Sequence, residues 1–242
     1  QRICTRLMLD GVTIVDPAST YIGRDVRIGP DTVVLPNTHL QGSTVIGTEC
    51  EIGPNSQIID SRIGDGSRVW ASVLEGAQVD SGVHIGPMAH LRPGARIETG
   101  AYIGNYAEVK NSRIGRNSHQ HHMSYVGDAD IGTNVTIGAG TITCNLNTET
   151  HIKSRTFVGD DASVGSDTML VAPVSIGAGA ITGAGSVVTR DVPEGYLALG
   201  VPARRVRPVR RAGADDAPAQ PPAQTRQATR RESEPDTTLS VE

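Results

Sequence analysis

An aliphatic residue returns at every sixth position through most of this chain: Ile22, Ile28, Val34, Leu40, Ile46, Ile52 and Ile58, then Ile85, Leu91, Ile97, Ile103 and Val109. A helix buries one face with a period near 3.6 residues and a strand with a period of two, so neither alone accounts for six. The repeating unit must hold a short strand and a corner together. Two further registers sharpen it. Glycine commonly follows the aliphatic residue (Ile28-Gly29, Ile46-Gly47, Ile52-Gly53, Ile103-Gly104, Ile137-Gly138, Ile176-Gly177), and a small or β-branched residue often lies four places on (Thr32, Ala89, Ala107, Val135, Ala180).

This is the hexapeptide signature of a parallel β-helix. Three units close one coil, and each coil buries its aliphatic row on the coils above and below it. A lone coil has nothing to bury against, so the repeat predicts one continuous all-β solenoid of about ten coils over residues 12–206. An antiparallel sandwich would instead alternate with period two between turns spaced about 8 to 12 residues apart. Residues 1–11 read as the end of an upstream segment, since the chain opens on Gln1 and not on Met; on this reading it is a fragment. Residues 207–242 read as a disordered tail: Pro208, Pro218, Pro221, Pro222 and Pro235 stand among Ala, Gln, Asp and Arg, with too little apolar surface to offset ordering entropy.

Composition narrows function by exclusion. A net charge of -4 gives no attraction to nucleic acid or to a membrane surface, and no apolar run reaches spanning length. Cys4, Cys50 and Cys144 are odd in number, far apart and without CxxC spacing, which speaks against a disulfide framework and for a reducing, cytoplasmic setting.

Coil counting turns sequence distance into geometry, because residues one coil apart stack at about 4.8 Å. The register shortens at Ile58 to Ile63, Val69 to Val73, Val109 to Ile114 and Val126 to Ile131, as tightened corners that keep the coil count. Between Thr143 and Val158 nine residues are surplus and must leave the prism as a loop. Arg92 and Lys110, 18 positions apart and each following its aliphatic residue, become direct neighbours. Two stacked cations either hold a fixed anion such as a phosphate or splay apart in solvent. A second column reads Asn105, His122, Ala139, Ser166, Ala184, so a polar pair gives way to small residues and leaves a groove along the axis. His119, His121 and His122 cluster, yet neighbours on an extended segment point in different directions and no zinc spacing is present; His84 and His90 fall on different faces. No metal site is expected.

The segments GVTIVDP (11–17), LRPGA (91–95), GNYAEVKNSRIG (104–115), SYVGDADIG (124–132), IGAGTITCN (137–145), VGSDTMLVAPVSIG (164–177) and GAGSVVTRDVP (183–193) closely resemble one family. It is the C-terminal acetyltransferase domain of the bacterial bifunctional N-acetylglucosamine-1-phosphate uridyltransferase/glucosamine-1-phosphate N-acetyltransferase. The resemblance runs from Gly11 to about Pro202. It implies a left-handed β-helix, assembled as a homotrimer with sites between subunits, and acetyl transfer from acetyl-CoA to the amine of glucosamine 1-phosphate. Magnesium would belong only to a uridyltransferase domain preceding Gln1.

By position, the resemblance implies His122 as general base with Glu108 supporting it. It implies Arg92, Lys110, Tyr125, Thr136 and Asn145 as substrate contacts. Ala139, Asn145, Leu146, Ser166, Ala184 and Arg204 would meet the coenzyme, Ala139 through its amide to the thioester oxygen. Thr136 stands where the family usually has Asn, and Asn145 is followed by Leu146-Asn147-Thr148 where the family has Tyr-Asp-Gly. The loop is about two residues longer, which leaves its substrate-contacting cation open among His151, Lys153 and Arg155. The terminal coenzyme Arg falls on Gly200 or Val201, with Arg204 the nearest substitute. Other readings are acyl transfer to a different amino sugar, a metal-dependent lyase of the carbonic anhydrase type on the same fold, and a purely structural trimerisation module. The last leaves Arg92, Lys110 and the small-residue column unexplained.

Overall fold

The computed structural model describes residues 1–210. Two- and three-residue strands alternate with corners and stack into three sheets, of 12, 10 and 9 strands, that form the faces of a triangular prism. Along each face every third strand is hydrogen-bonded to the next, in parallel throughout the coils. The shortened steps keep this order: Ile58 stacks on Leu74 and Leu74 on Leu91, as the coil count requires.

The aliphatic residue of each hexad points inward. Leu40, Ile58, Leu74, Leu91 and Val109 line the second face, and Ile97, Ile114 and Ile131 the third, all buried. Corners repeat one solution. The fourth residue takes a left-handed conformation, supplied by Asp31, Asn37, Asn55, Asn117 and Asn134 among others, residue types that tolerate it. The fifth is buried and small. Where it is Ser or Thr its hydroxyl meets backbone: Ser118 Oγ donates to the Gly132 carbonyl at 2.7 Å and accepts the Val135 N–H at 2.9 Å. That pairing explains why a hydroxyl is tolerated inside the prism.

A solenoid exposes its core at both ends unless something covers it. At the first coil the helix Arg2–Leu9 lays Cys4 and Leu7 onto Val12, Ile14 and Val34. At the last, Tyr196–Gly200 pairs antiparallel with Ala203–Pro208 and buries Ala198 and Ala203. This hairpin carries the ordered backbone through Pro208, two residues past the expected end of the repeat domain at 206. The tail expected to be disordered lies, beyond Arg210, outside the described residues. No described helix is long and apolar enough to cross a membrane. All three cysteines are free, Cys4 and Cys50 buried.

Candidate active site

The groove is a product of corner geometry between the first and second faces. In each hexad the second residue keeps its N–H in the ladder: Gly138 donates to Val164 O at 2.8 Å and Gly165 to Thr182 O at 3.0 Å. The fourth residue rejoins it, through Gly140 to His122 O (3.1 Å), Asp167 to Ala139 O (2.7 Å) and Gly185 to Ser166 O (2.8 Å). The third is left over. Among the described residues the amides of His122, Ala139, Ser166 and Ala184 make no hydrogen bond. The ladder Gln120, Ile137, Val164, Thr182 places these four one coil apart, as the coil count requires. The groove is lined by His121, His122, Thr136, Ala139, Ser163 and Ser166 with their glycine neighbours. Its wall is tight: a Cβ on Gly165 would lie 2.6 Å from the Ala184 nitrogen.

The outer side of the second face carries the charges. Register sets Arg92 beside Lys110. Arg92 already has a counter-charge, since its Nη1 donates to Glu108 Oε1 at 2.8 Å, and that bond raises the guanidinium pKa further. Lys110 has no ion pair among the described residues. The family resemblance implies Glu108 as a support for His122; among the described residues it bonds Arg92, and no hydrogen bond joins it to His122. Tyr125 stacks directly on Glu108. Its ring folds over Gly127, where any Cβ would collide with the phenol. Burial pushes the Tyr125 phenol pKa up, with the Asn145 side chain and Arg92 opposing and Glu108 and Asp128 reinforcing. Arg92, Glu108, Tyr125 and Asn145 are thus one cluster, while Thr136 belongs to the groove.

The surplus loop leaves after Cys144 and returns at Thr156 as a small hairpin, bridged at Leu146 and Lys153. Leu146 is half-exposed on this hairpin and is not part of the groove lining. Arg155 is occupied, its Nη2 donating to the Ala129 carbonyl at 3.0 Å. At the loop's root lies a residue that sequence reading missed. Asp128 is 8% exposed and accepts the side-chain amides of Asn111 and Asn145, each at 2.5 Å. Burial works against its charge, yet the two amides and the nearby Lys153 and Arg155 cations outweigh it and hold the carboxyl below the usual range. The available signal was the coil count: Asn111, Asp128 and Asn145 stand two places after Val109, Val126 and Thr143 and so form one column over three consecutive coils.

Gln120 is the second omission. It occupies the aliphatic row between Ile103 and Ile137, fully buried. Its Nε2 reaches Glu108 O (3.2 Å) and Ser124 Oγ (3.1 Å), and Ser124 Oγ donates to His121 O at 2.6 Å. Among the described residues its Oε1 has no hydrogen-bond partner. One polar residue in an aliphatic row was the available signal. This rivet ties the corner carrying His122 to the strand carrying Glu108.

Burial first, then His119 and His122, holds His121 below the ordinary histidine pKa. Among the described residues no three His, Cys, Asp or Glu converge to hold a metal ion. Arg204 stands opposite Leu199 in the terminal hairpin, and a Cβ on Gly183 would come 2.7 Å from Leu199 Cβ; Arg204 therefore sits beyond the groove's upper end. On the ridge flanking the groove, Met88, Tyr106 and Met123 occupy the left-handed corner position of consecutive coils, 55, 61 and 64% exposed. Bulky residues are uncommon in that conformation.

The family model "Bacterial transferase hexapeptide (six repeats)" matches residues 19–60 and 155–190. The "Bifunctional protein GlmU" of Fervidobacterium nodosum is 50% identical over 200 residues, which are 83% of this chain and 44% of that protein. That of Carboxydothermus hydrogenoformans is 50% identical over 199 residues, 82% of this chain and 44% of its own length. The chain therefore spans less than half the length of these relatives. Among solved structures, the UDP-N-acetylglucosamine acyltransferase LpxA of Bacteroides fragilis superposes with a TM-score of 0.56 at 19% identity, over 79% of this chain and 73% of that one; at this identity the fold is what is shared. Over more than four fifths of its length the chain is similar to bifunctional GlmU proteins, and parts of it match the hexapeptide repeat of bacterial transferases.

Proposed function

We propose that the chain transfers the acetyl group of acetyl-CoA to the amine of glucosamine 1-phosphate, giving N-acetylglucosamine 1-phosphate for UDP-N-acetylglucosamine synthesis. One observation carries the reading. A histidine stands at the head of a groove of outward amides, and the next strand of its coil presents Tyr125 to the Arg92 and Glu108 cluster.

The acceptor amine is largely protonated near neutral pH and must lose its proton to attack. That first proton goes to solvent; the nitrogen lone pair then forms the C–N bond at the thioester carbonyl, whose π electrons move onto oxygen, and His122 takes the second N–H proton as the nitrogen acquires positive charge. The free N–H of Ala139 meets the oxyanion, a type of contact worth about 2.7 to 4 kcal/mol where such donors have been removed. Collapse re-forms the carbonyl and breaks the C–S bond, and the coenzyme thiolate takes the proton from His122. General-base assistance of this kind gives about 10²- to 10⁴-fold. Ser166 and Ala184 leave room for the pantetheine arm. Lys110, which has no ion pair among the described residues, and Arg92 face the sugar phosphate.

We further propose a homotrimer with sites completed between subunits. The exposed Met88, Tyr106 and Met123 ridge beside His122 supports it, as does the open side of the groove. Sedimentation should give a single trimeric species, and a fully active monomer would refute the shared site. The activity is tested by incubating the protein with acetyl-CoA and glucosamine 1-phosphate, following thiol release and product mass. Turnover of a different amino sugar in preference would move the assignment to that substrate; no acetyl transfer at all would overturn it.

A further inference from the structure

Resting on the acetyl-transfer reading above, we propose that Asp128 is a positioning residue: it fixes the Asn145 carboxamide so that Asn145 Oδ1 faces the acceptor sugar and accepts a hydrogen bond from its amine or an adjacent hydroxyl. A carboxamide has a donor side and an acceptor side of nearly the same shape, so only its partners decide which side faces the ligand. An ionised carboxylate only accepts. Asp128 Oδ2 therefore holds Asn145 by Nδ2, at 2.5 Å, and Oδ1 of Asn145 is turned away from it. The other oxygen, Oδ1 of Asp128, accepts Asn111 Nδ2, so the carboxylate cannot rotate without losing one bond or the other. With Asp128 at 8% exposure, water does not compete freely for these lone pairs. The result is an acceptor beside Tyr125, a site that favours a ligand donating at that point over one carrying an ether or a keto oxygen there.

Asp128→Asn keeps the shape and removes the constraint, since the new carboxamide offers either polarity to Asn145. The expected result is a 3- to 30-fold rise in the KM of glucosamine 1-phosphate, the size of about one hydrogen bond, with the acetyl-CoA KM unchanged within about twofold. The exchange Asp128→Asn with Asn145→Asp supplies a rescue. In it the carboxamide at position 128 accepts from Asn111 and donates to the carboxylate at position 145, whose second oxygen still faces the site. Acceptor KM should recover most of its loss in the double variant. An unchanged acceptor KM in Asp128→Asn, or equal loss for both substrates without rescue, overturns the assignment while leaving the reaction in place.

A wild-type protein that transfers no acetyl group refutes the reaction instead. The orientation is then read from the side-chain amide protons of Asn145 by ¹⁵N-edited NMR, identified by their loss in Asn145→Asp. They should be protected from solvent exchange and shift as Asp128 titrates. Rapidly exchanging protons that ignore that titration would refute the proposal.

Discussion

Replacing Gly165 by alanine tests whether the groove wall is as closely stacked as the geometry requires. Gly165 has an ordinary φ, so its lack of a side chain answers to space alone. A Cβ there would lie 2.6 Å from both the Ala184 nitrogen and the Thr182 carbonyl oxygen, where ordinary contact begins at 3.4 Å. Both are backbone atoms and cannot swing aside, so the next coil must retreat by roughly 0.8 Å. Overpacking of this kind costs about 1 to 3 kcal/mol. The bonds Gly165 N to Thr182 O (3.0 Å) and Gly185 N to Ser166 O (2.8 Å) span the same gap, and weakening both adds about 1 kcal/mol each. The sum is about 3 to 5 kcal/mol. At about 2 to 4 °C per kcal/mol for a domain of this size, Tm should fall by roughly 10 °C.

Gly185, one coil on, is the control. It has φ +69°, and a Cβ added to it would meet nothing within 4 Å, so alanine there carries only the left-handed penalty of about 1 to 2 kcal/mol, or roughly 4 °C. Scanning calorimetry reads both values. The acetyl-CoA KM should rise at least about fivefold for Gly165→Ala, whose change spreads Ser166 from Ala184, and hardly at all for Gly185→Ala. Equal Tm losses, or the reverse order, would refute the close stacking.

His122→Ala should lower kcat by about 10²- to 10⁴-fold with little change in the acetyl-CoA KM, while His119→Ala and His121→Ala do far less; steady-state kinetics on the three variants checks which histidine is the base. Arg92→Ala and Lys110→Ala should each lower kcat/KM for glucosamine 1-phosphate by about 10- to 100-fold and leave unphosphorylated glucosamine nearly untouched; equal loss on both substrates would assign the pair to structure. Asp128 is held below its unfolded carboxyl pKa, so its ionised form contributes stability above about pH 4 that is lost as pH falls through the folded value. The Tm gap between wild type and Asp128→Asn should accordingly be constant from about pH 5.5 to 8 and close in acid; a gap that widens in acid contradicts the sign.

Periodicity alone determined the solenoid, its coil count and the columns, because in a parallel ladder each residue's neighbours are set by its distance along the chain. Arg92 beside Lys110 and the His122, Ala139, Ser166, Ala184 column follow from that arithmetic and are legible in the sequence itself. The surplus loop is legible too, as residues the prism cannot hold. What coil counting cannot reach is where side chains leave their columns. Glu108 leans back to Arg92, and Tyr125 folds over Gly127. Gln120 crosses the interior to the Glu108 carbonyl, and although Asn111, Asp128 and Asn145 share a column, which amide meets which carboxylate oxygen is set by rotamer. These contacts depend on rotamers and on burial that makes an unpaired polar atom costly, and repeat position encodes neither. The tertiary structure therefore decided which polar groups bond one another, and with them the polarity each presents to a ligand.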